Sequence, residues 1–463
     1  MPRNMTIDNT VFVLISFEGP DRYSMAGGLG VRVEGLSNTL TSMGFPAHLV
    51  FVGDPAKKGE EVLADGRLTL HRWCQWISRY YPNGVYEGEY EKMNDLAASL
   101  PGFLIEQIVK QAVSQGRVVV IMAEEWQTAE AICSMSDHLA LAGLRDRVIM
   151  FWNANNTFGF DRIDWARLSR SVRISTVSRY MKHLMWNIGV NPLVIPNGID
   201  PSLLEEVDET LSVKLRRMLD AELVLAKVAR WDPDKRWRTT IEAIARLKDS
   251  GKKTVLLARG GIEPHREEIL DHARSLGLSV NAAFADGEMP QHYLAAIAGA
   301  GPCEIIDIRS HVTHSFLRTV YHASDAVLAN SGHEPFGLVG LETMAAEGVA
   351  FTGGTGEDYA LPYYNSIVLE TDDPAEIELA LSYLKGNPEV EARIRKAARQ
   401  TAGYFTWEEA VRNLIRKLEY QGEIQGLLAR PTGARSAPPP VSSVTAGSSR
   451  THEHVAPREL VTL

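Results

Sequence analysis

Short apolar runs alternate with longer stretches of helical period along most of this 463-residue chain, and no other feature restricts the fold as much. Val11–Ile15, His48–Val52, Val118–Met122, Val148–Phe151, Ile174–Val177 and Leu193–Ile195 read as the strands of a first half. Leu223–Val228, Thr254–Ala258, Ala326–Ala329, Val349–Thr352 and Ser366–Leu369 read as those of a second. Strand–helix–strand repetition implies mostly parallel sheets clad in helices, so the fold class is α/β. In such sheets ligands collect at the carboxyl ends of strands, where loops meet helix N-termini. The chain is too long for one core, and two doubly wound domains are expected.

Ile195-Pro196-Asn197-Gly198-Ile199-Asp200 marks the boundary between them. Proline fixes one dihedral and Asn-Gly accepts left-handed conformations, so the pair forms a sharp turn and Asn197 reads as a hinge. The expected domains are 1–197 and 198–404, followed by a helical segment at 405–428 with Thr406 as its N-cap. From 429 to 463 the composition turns to Pro, Ser, Thr, Gly and Ala, including Pro438-Pro439-Pro440, and a disordered tail is expected.

A net charge of -10 argues against nonspecific binding to nucleic acid or to anionic membrane. Cys74, Cys133 and Cys303 are scattered without metal-ligand spacing, which fits a reduced, cytoplasmic setting. Val11–Ile15 reads as a strand rather than a leader, and no run approaches the roughly 18 apolar residues that span a bilayer. Peripheral membrane contact stays open. There is no GxSxG elbow, no Walker-type phosphate loop, and no metal-ligand set.

The chemistry concentrates in Ser331-Gly332-His333-Glu334-Pro335-Phe336-Gly337-Leu338-Val339-Gly340-Leu341-Glu342. An apolar strand precedes it, and Leu338, Leu341, Met344 and Ala345 recur behind it at helical spacing. Gly337 therefore falls near a helix N-terminus, where free N–H groups and the dipole favour an anion such as phosphate. Glu334 stands before the turn and Glu342 on the helix behind it. Carboxylates accept hydrogen bonds only, so the two suit hydroxyl-bearing groups on either side of a diphosphate. A nucleotide-sugar has that layout.

Ala229-Arg230-Trp231-Asp232-Pro233-Asp234-Lys235 follows the first strand of the second half. Two cations on such a loop can neutralise a diphosphate and stabilise charge on a departing nucleotide. The bland alternative is that Arg230 and Lys235 pair with Asp232 and Asp234. Ser24-Met25-Ala26-Gly27-Gly28-Leu29-Gly30 opens the first helix, and its glycines suit a ligand-facing turn or a plain tight one. Glu124-Glu125-Trp126 and Trp152-Asn153-Ala154 end two further strands, with Glu125, Trp126 and Asn153 lining a site or merely finishing the strands. Gly353-Gly354-Thr355-Gly356-Glu357-Asp358 ends another.

The 331–345 run resembles the signature of retaining nucleotide-sugar glycosyltransferases with two Rossmann-like domains facing a cleft, the GT-B fold. The type is that of glycosyltransferase family 4, or glycosyl transferases group 1, distantly like glycogen synthase. The resemblance covers roughly 9–425. It implies that Glu334 contacts the donor sugar, Glu342 the ribose, and the Gly337 and Leu338 amides, beside Phe336, the sugar and phosphate. Arg230 and Lys235 would hold the donor phosphates, with Arg230, Lys235 and Glu334 as the catalytic set. Gly28 and Gly30 would close on the donor from the first domain, and the last helix would cross back to that domain. Relatives often read His-Asp-Trp where this chain has Glu124-Glu125-Trp126, and carry a histidine where Asn153 stands, so the resemblance puts Glu125, Trp126 and Asn153 on the acceptor side. Asparagine cannot serve as a general base. Ser24, Met25 and Ala26 stand where the synthases carry a lysine.

A retaining, metal-independent glycosyltransferase is thus expected, with no cofactor beyond its nucleoside diphosphate sugar donor. The acceptor would be a carbohydrate, a lipid-linked or a small-molecule hydroxyl. A noncatalytic nucleotide-sugar binder and a GT-B epimerase remain the competing readings.

Overall fold

The structure, a computed structural model, describes residues 2–429. The expected tail lies outside the described residues except for Ala429, whose N–H donates to the Pro2 carbonyl at 2.9 Å. Strands β1 (Thr10–Ile15), β2 (Ala47–Val52), β3 (Glu60–Leu63), β4 (Leu68–Trp73), β5 (Val118–Glu124), β6 (Val148–Ala154), β7 (Arg173–Thr176) and β8 (Leu193–Val194) form one sheet. Its order is β3-β4-β2-β1-β5-β6-β7-β8, parallel except for the β3–β4 pair. A second, parallel sheet holds β9 (Leu223–Val228), β10 (Thr254–Arg259), β11 (Val280–Ala283), β12 (Ile305–Ile308), β13 (Ala326–Ala329), β14 (Ala350–Thr352) and β15 (Ile367–Val368). Its order is β11-β12-β10-β9-β13-β14-β15.

Strand period sorts each sheet's side chains into two layers. Val11, Val13 and Ile15 enter one core, whereas Phe12 and Leu14 enter the opposite one. Every residue of β1 and β5 is buried, the pattern of a parallel sheet covered on both faces. Each strand order steps outward in both directions from a central strand, β1 or β9, so the doubly wound architecture is present in both halves.

Four strands escape the sequence pattern. β3 is exposed throughout and pairs only at the sheet edge, where charge is ordinary. β4 interleaves polar His71 and Arg72, while β11 and β12 are short. Asp307 breaks the apolar run of β12, yet it is buried because Arg266 and Arg309 pair with it. β5 and β6 also run further than expected, to Glu124 and Ala154, so Glu124 and Asn153 are strand residues.

The chain crosses between the sheets beside its own return. Ile199 N–H donates to the Phe405 carbonyl at 2.8 Å and Trp407 N–H to the Ile199 carbonyl at 3.0 Å. Gly198 fits here because an added Cβ would come within 2.4 Å of the Trp407 nitrogen. Thr406 caps the last helix, Trp407–Ile424, by accepting from Glu409 N–H at 3.4 Å. That helix buries Trp407, Val411, Leu414 and Leu418 with Leu36, Ile149 and Phe151 of the first sheet's layer. Among the described residues no helix is long and apolar enough to cross a membrane. The three cysteines are unpaired.

Candidate functional site

β9 and β13 pair in the middle of the second sheet, so the loops leaving their carboxyl ends emerge side by side. The β9 loop carries Lys235 and the β13 loop Glu334, and their side chains meet at 2.7 Å. Both stay partly open to solvent, with 17% and 21% of their side chains exposed, so a ligand can reach the pair. Asp232 and Asp234 do not neutralise the two cations. Asp232 caps its own turn by accepting from Asp234 N–H at 2.9 Å. Asp234 accepts from His333 N–H at 3.0 Å, and its carbonyl accepts from Gly332 N–H at 2.7 Å. Asp234 therefore stitches the two loops together, a role the bland reading of simple ion pairs misses. Arg230 is exposed and has no ion-pair partner among the described residues. Its carbonyl accepts from the Trp237 indole at 2.8 Å, which fixes the backbone beneath it.

Gly337 has φ +82° and precedes the helix Leu338–Ala345. An added Cβ there would also lie 2.6 Å from Glu357 Cγ and 3.3 Å from Glu334 Cγ, so two constraints select glycine. The helix ladder opens with Leu341 N–H to the Gly337 carbonyl, which leaves the first-turn amides without intrahelical partners. An anion placed there meets free N–H groups, the dipole and Lys235 together. Phe336 takes no place at that mouth. It is 3% exposed and packs edge-on to Tyr359, with ring centres 5.9 Å apart. Leu338 is half-buried against the same core. Phe336 thus anchors the turn from below, a correction to its expected donor contact.

Glu342 lies one turn into the helix, half-buried, with its Oε2 3.4 Å from the Tyr321 hydroxyl. Burial pushes its carboxyl up to about 7. Glu357, from the loop after β14, sits on the other flank. Burial, and then the Glu334 charge beside it, push its carboxyl up to about 8. Glu357 is 5% exposed, and its Oε1 has no hydrogen-bond partner. Three glutamates, Glu334, Glu342 and Glu357, therefore surround one glycine turn.

The first domain answers differently. Ala26, Gly27 and Gly30 all donate N–H groups to Glu18 Oε2, at 3.1, 2.9 and 3.0 Å. The Tyr86 hydroxyl holds the other oxygen, Oε1. Gly30 is thereby withdrawn from donor phosphate in this state, because its amide is spent and a carboxylate stands where the anion would sit. Gly28 is exposed and has nothing near its Cβ direction, so it alone of the expected pair stays accessible.

Glu124 is completely buried and pairs with Arg32 at 2.9 Å. The Asn153 and Asn155 amides donate to the same Glu124 oxygen, each at 2.9 Å. Asn153 Oδ1 accepts from Ser175, also at 2.9 Å, so both ends of that amide are engaged inside the domain. Arg32 further donates to Asn197 Oδ1 at 2.5 Å, linking this network to the interdomain turn. Asn153 is thus a support for Glu124, not a surface group. Trp126 is 3% exposed beneath Arg162, whose guanidinium lies 4.7 Å from its ring centre. Glu125 has φ +69° and accepts from Asn155 N–H at 2.6 Å, and burial pushes its carboxyl up to about 8.

The two domains meet at this level. Arg179 N–H donates to Asp358 Oδ2 at 2.7 Å, joining a first-domain helix to the Glu357 loop. Tyr180, beside it, is shifted up by burial and then by the charges of Asp234 and Glu357. Among the described residues no three His, Cys, Asp or Glu side chains cluster as a metal would need.

Residues 214–401 match the family model described as glycosyl transferases group 1. The second domain is a group 1 glycosyltransferase domain. A GDP-mannose-dependent alpha-(1-6)-phosphatidylinositol dimannoside mannosyltransferase of Mycobacterium tuberculosis is 22% identical over 228 residues, 49% of this chain and 52% of that protein. A D-inositol 3-phosphate glycosyltransferase of Salinispora arenicola is 28% identical over 138 residues, 29% of this chain and 30% of that protein. The matches thus span about half of the first relative and less of the second. Sucrose-phosphate synthase of Thermosynechococcus elongatus superposes with a TM-score of 0.63 at 16% identity, covering 89% of this chain and all of that one. Anabaena HepE in complex with UDP gives 0.61 at 13% identity, over 88% and 99%. The starch synthase IV catalytic domain of Arabidopsis thaliana, bound to ADP and acarbose, gives 0.62 at 16%, over 91% and 99%. The fold is GT-B.

The group 1 domain thus brings Lys235, Glu334 and the Gly337 turn together, with Arg230 and Glu342 at its margins. Sequence reasoning passed over Glu18 and Tyr321, and quoted Glu357 only as part of a loop. Glu18 carried a usable signal, an acid at the carboxyl end of the first strand shortly before a glycine turn. Tyr321 carried none, because it reaches Glu342 from a helix distant in sequence.

Proposed function

We propose that this protein is a retaining glycosyltransferase that moves a sugar from a nucleoside diphosphate sugar to an acceptor hydroxyl without a metal ion. The observation that carries the reading is the Lys235–Glu334 contact at the open first turn of the Gly337 helix. A cation, free amides and an acceptor-only carboxylate lie within one diphosphate-sugar length. Lys235 and Arg230 would neutralise the diphosphate, the first-turn amides would hold one phosphate, and Glu334 would grip a hydroxyl of the transferred sugar. Glu342 would accept from a ribose hydroxyl on the far side.

In the transfer, the bond from the anomeric carbon to the β-phosphate oxygen breaks. The acceptor oxygen bonds that carbon from the same face, and its proton passes to the departing phosphate. The protein's share is then positioning and charge stabilisation rather than a covalent intermediate. The relatives whose names carry GDP-mannose, and the neighbour bound to UDP, support a nucleoside diphosphate sugar as donor.

Incubation with labelled UDP-, ADP- and GDP-sugars tests the reading. Nucleotide release by hydrolysis or transfer, with the donor's anomeric configuration kept in the product and no loss of rate in EDTA, supports it. Binding without release points instead to a noncatalytic binder, and sugar interconversion without acceptor to an epimerase.

A further inference from the structure

Lys227 is a lysine in the central strand of the second sheet, and it is 1% exposed. Its neighbours Leu225, Ala226 and Val228 are apolar, and a buried ammonium there is costly unless its protons are met. Two acceptors meet them. Nζ donates to the Leu328 carbonyl at 3.0 Å and to Asn330 Oδ1 at 2.6 Å, and it lies 5.4 Å from the centre of the Trp237 ring. Asn330 is itself 1% exposed.

These partners lie at the end of β13, immediately before the loop that carries Glu334. Lys227 lies at the end of β9, immediately before the loop that carries Arg230 and Lys235. One side chain therefore bolts together the two strand exits whose loops form the donor mouth. Apart from this tie, the loops meet through Asp234 and through the Lys235–Glu334 pair.

We propose that Lys227 is a positioning residue of the donor site, setting the spacing between Lys235 and Glu334 by tying the β9 exit to the β13 exit through Leu328 and Asn330. Burial, with the nearby positive charges of Lys235 and Arg236, holds its ammonium well below the ordinary lysine value. A group placed so unfavourably fits a site role better than a contribution to stability alone. The inference rests on the donor-binding reading above and deepens it.

The experiment measures UDP, ADP and GDP binding alongside thermal melting for the wild type, Lys227→Met and Lys227→Met/Asn330→Leu. Methionine keeps the unbranched stem but leaves Asn330 without its donor, so the single variant melts lower. Replacing both polar partners with apolar groups restores much of that loss. Nucleotide affinity falls about tenfold in both variants, since neither restores the tie. Binding that recovers together with the melting temperature would overturn the proposal, as would unchanged binding in folded Lys227→Met. Should the methionine variant fail to fold, Asn330→Ala tests the other end of the tie, and wild-type affinity there overturns it equally. A wild-type protein that binds none of the three nucleotides overturns the donor-site reading itself.

Discussion

Two glycine turns in this protein look alike in sequence and end up electrostatically opposite. Each follows a buried parallel strand and opens a helix, Gly28–Ser42 in the first domain and Leu338–Ala345 in the second. In the second domain the first-turn amides stay free and a lysine stands beside them. In the first, three amides close on Glu18 and a tyrosine locks that carboxylate in place. The same backbone device leaves its amides free in one domain and fills them itself in the other. What differs is the side chain each strand exit delivers, and that decides which turn keeps its amides open.

Lys235→Ala separates the two turns most sharply. Loss of one charge-stabilising donor in a partly closed site lowers turnover by about a hundredfold to a thousandfold. Steady-state rates with a saturating donor check this, and a rate within threefold of wild type removes the second turn from the chemistry. Glu342→Ala should weaken nucleoside diphosphate binding about tenfold, the scale of one hydrogen bond to a charged group. Calorimetry reads that loss, and an unaltered affinity places the ribose elsewhere.

Glu18→Ala probes the opposite turn. Removing the acceptor of three N–H groups costs about 1–2 kcal/mol of stability, in the range of a lost helix cap. Nucleotide affinity stays within twofold if the first turn takes no donor phosphate. A marked gain in affinity shows instead that Glu18 had been competing with the phosphate, and the contrast between the turns collapses.

The remaining prediction is a pH dependence, read on stability rather than on the two turns themselves. Glu357 titrates at about 8 in the folded chain against an ordinary value of 4.5. Its folded value is raised, so between those limits the folded state binds more protons than the unfolded one. Its contribution to stability is complete below about 4.5 and is lost as pH rises through 8. Glu357→Gln should flatten the fall in denaturation midpoint across that window. An unchanged slope shows that other groups, Glu125 among them, carry it.

How much of this was readable beforehand depended on whether the signal was local. Leu223–Val228, interrupted only by Lys227, and Ala326–Ala329 were legible to the residue, because buried central strands of a parallel sheet read as near-continuous apolar runs. β3 and β12 were not, since an edge strand carries charge freely and Asp307 is neutralised by arginines from elsewhere. Lys235 and Glu334 were legible as candidates from the loops they occupy. Phe336 was misread because only the packing of Tyr359 and Phe405 shows that it points inward. For Asn153 and Gly30 the sequence left a structural and a site reading open, for a related reason. Glu124 and Glu18, the groups that claim them, are separated from them by 29 and 12 residues.

The order of apolar and polar residues by itself determined two doubly wound α/β domains, a glycine turn at a helix entrance, and which loops carry acids and cations. Those properties follow from period, backbone sterics and chain direction, all of which act over a few residues. Tertiary structure decided which charges face each other, which amides remain free and which polar side chains are enclosed. Electrostatic and desolvation energies depend on through-space distance and burial, and neither is fixed until distant strands have packed.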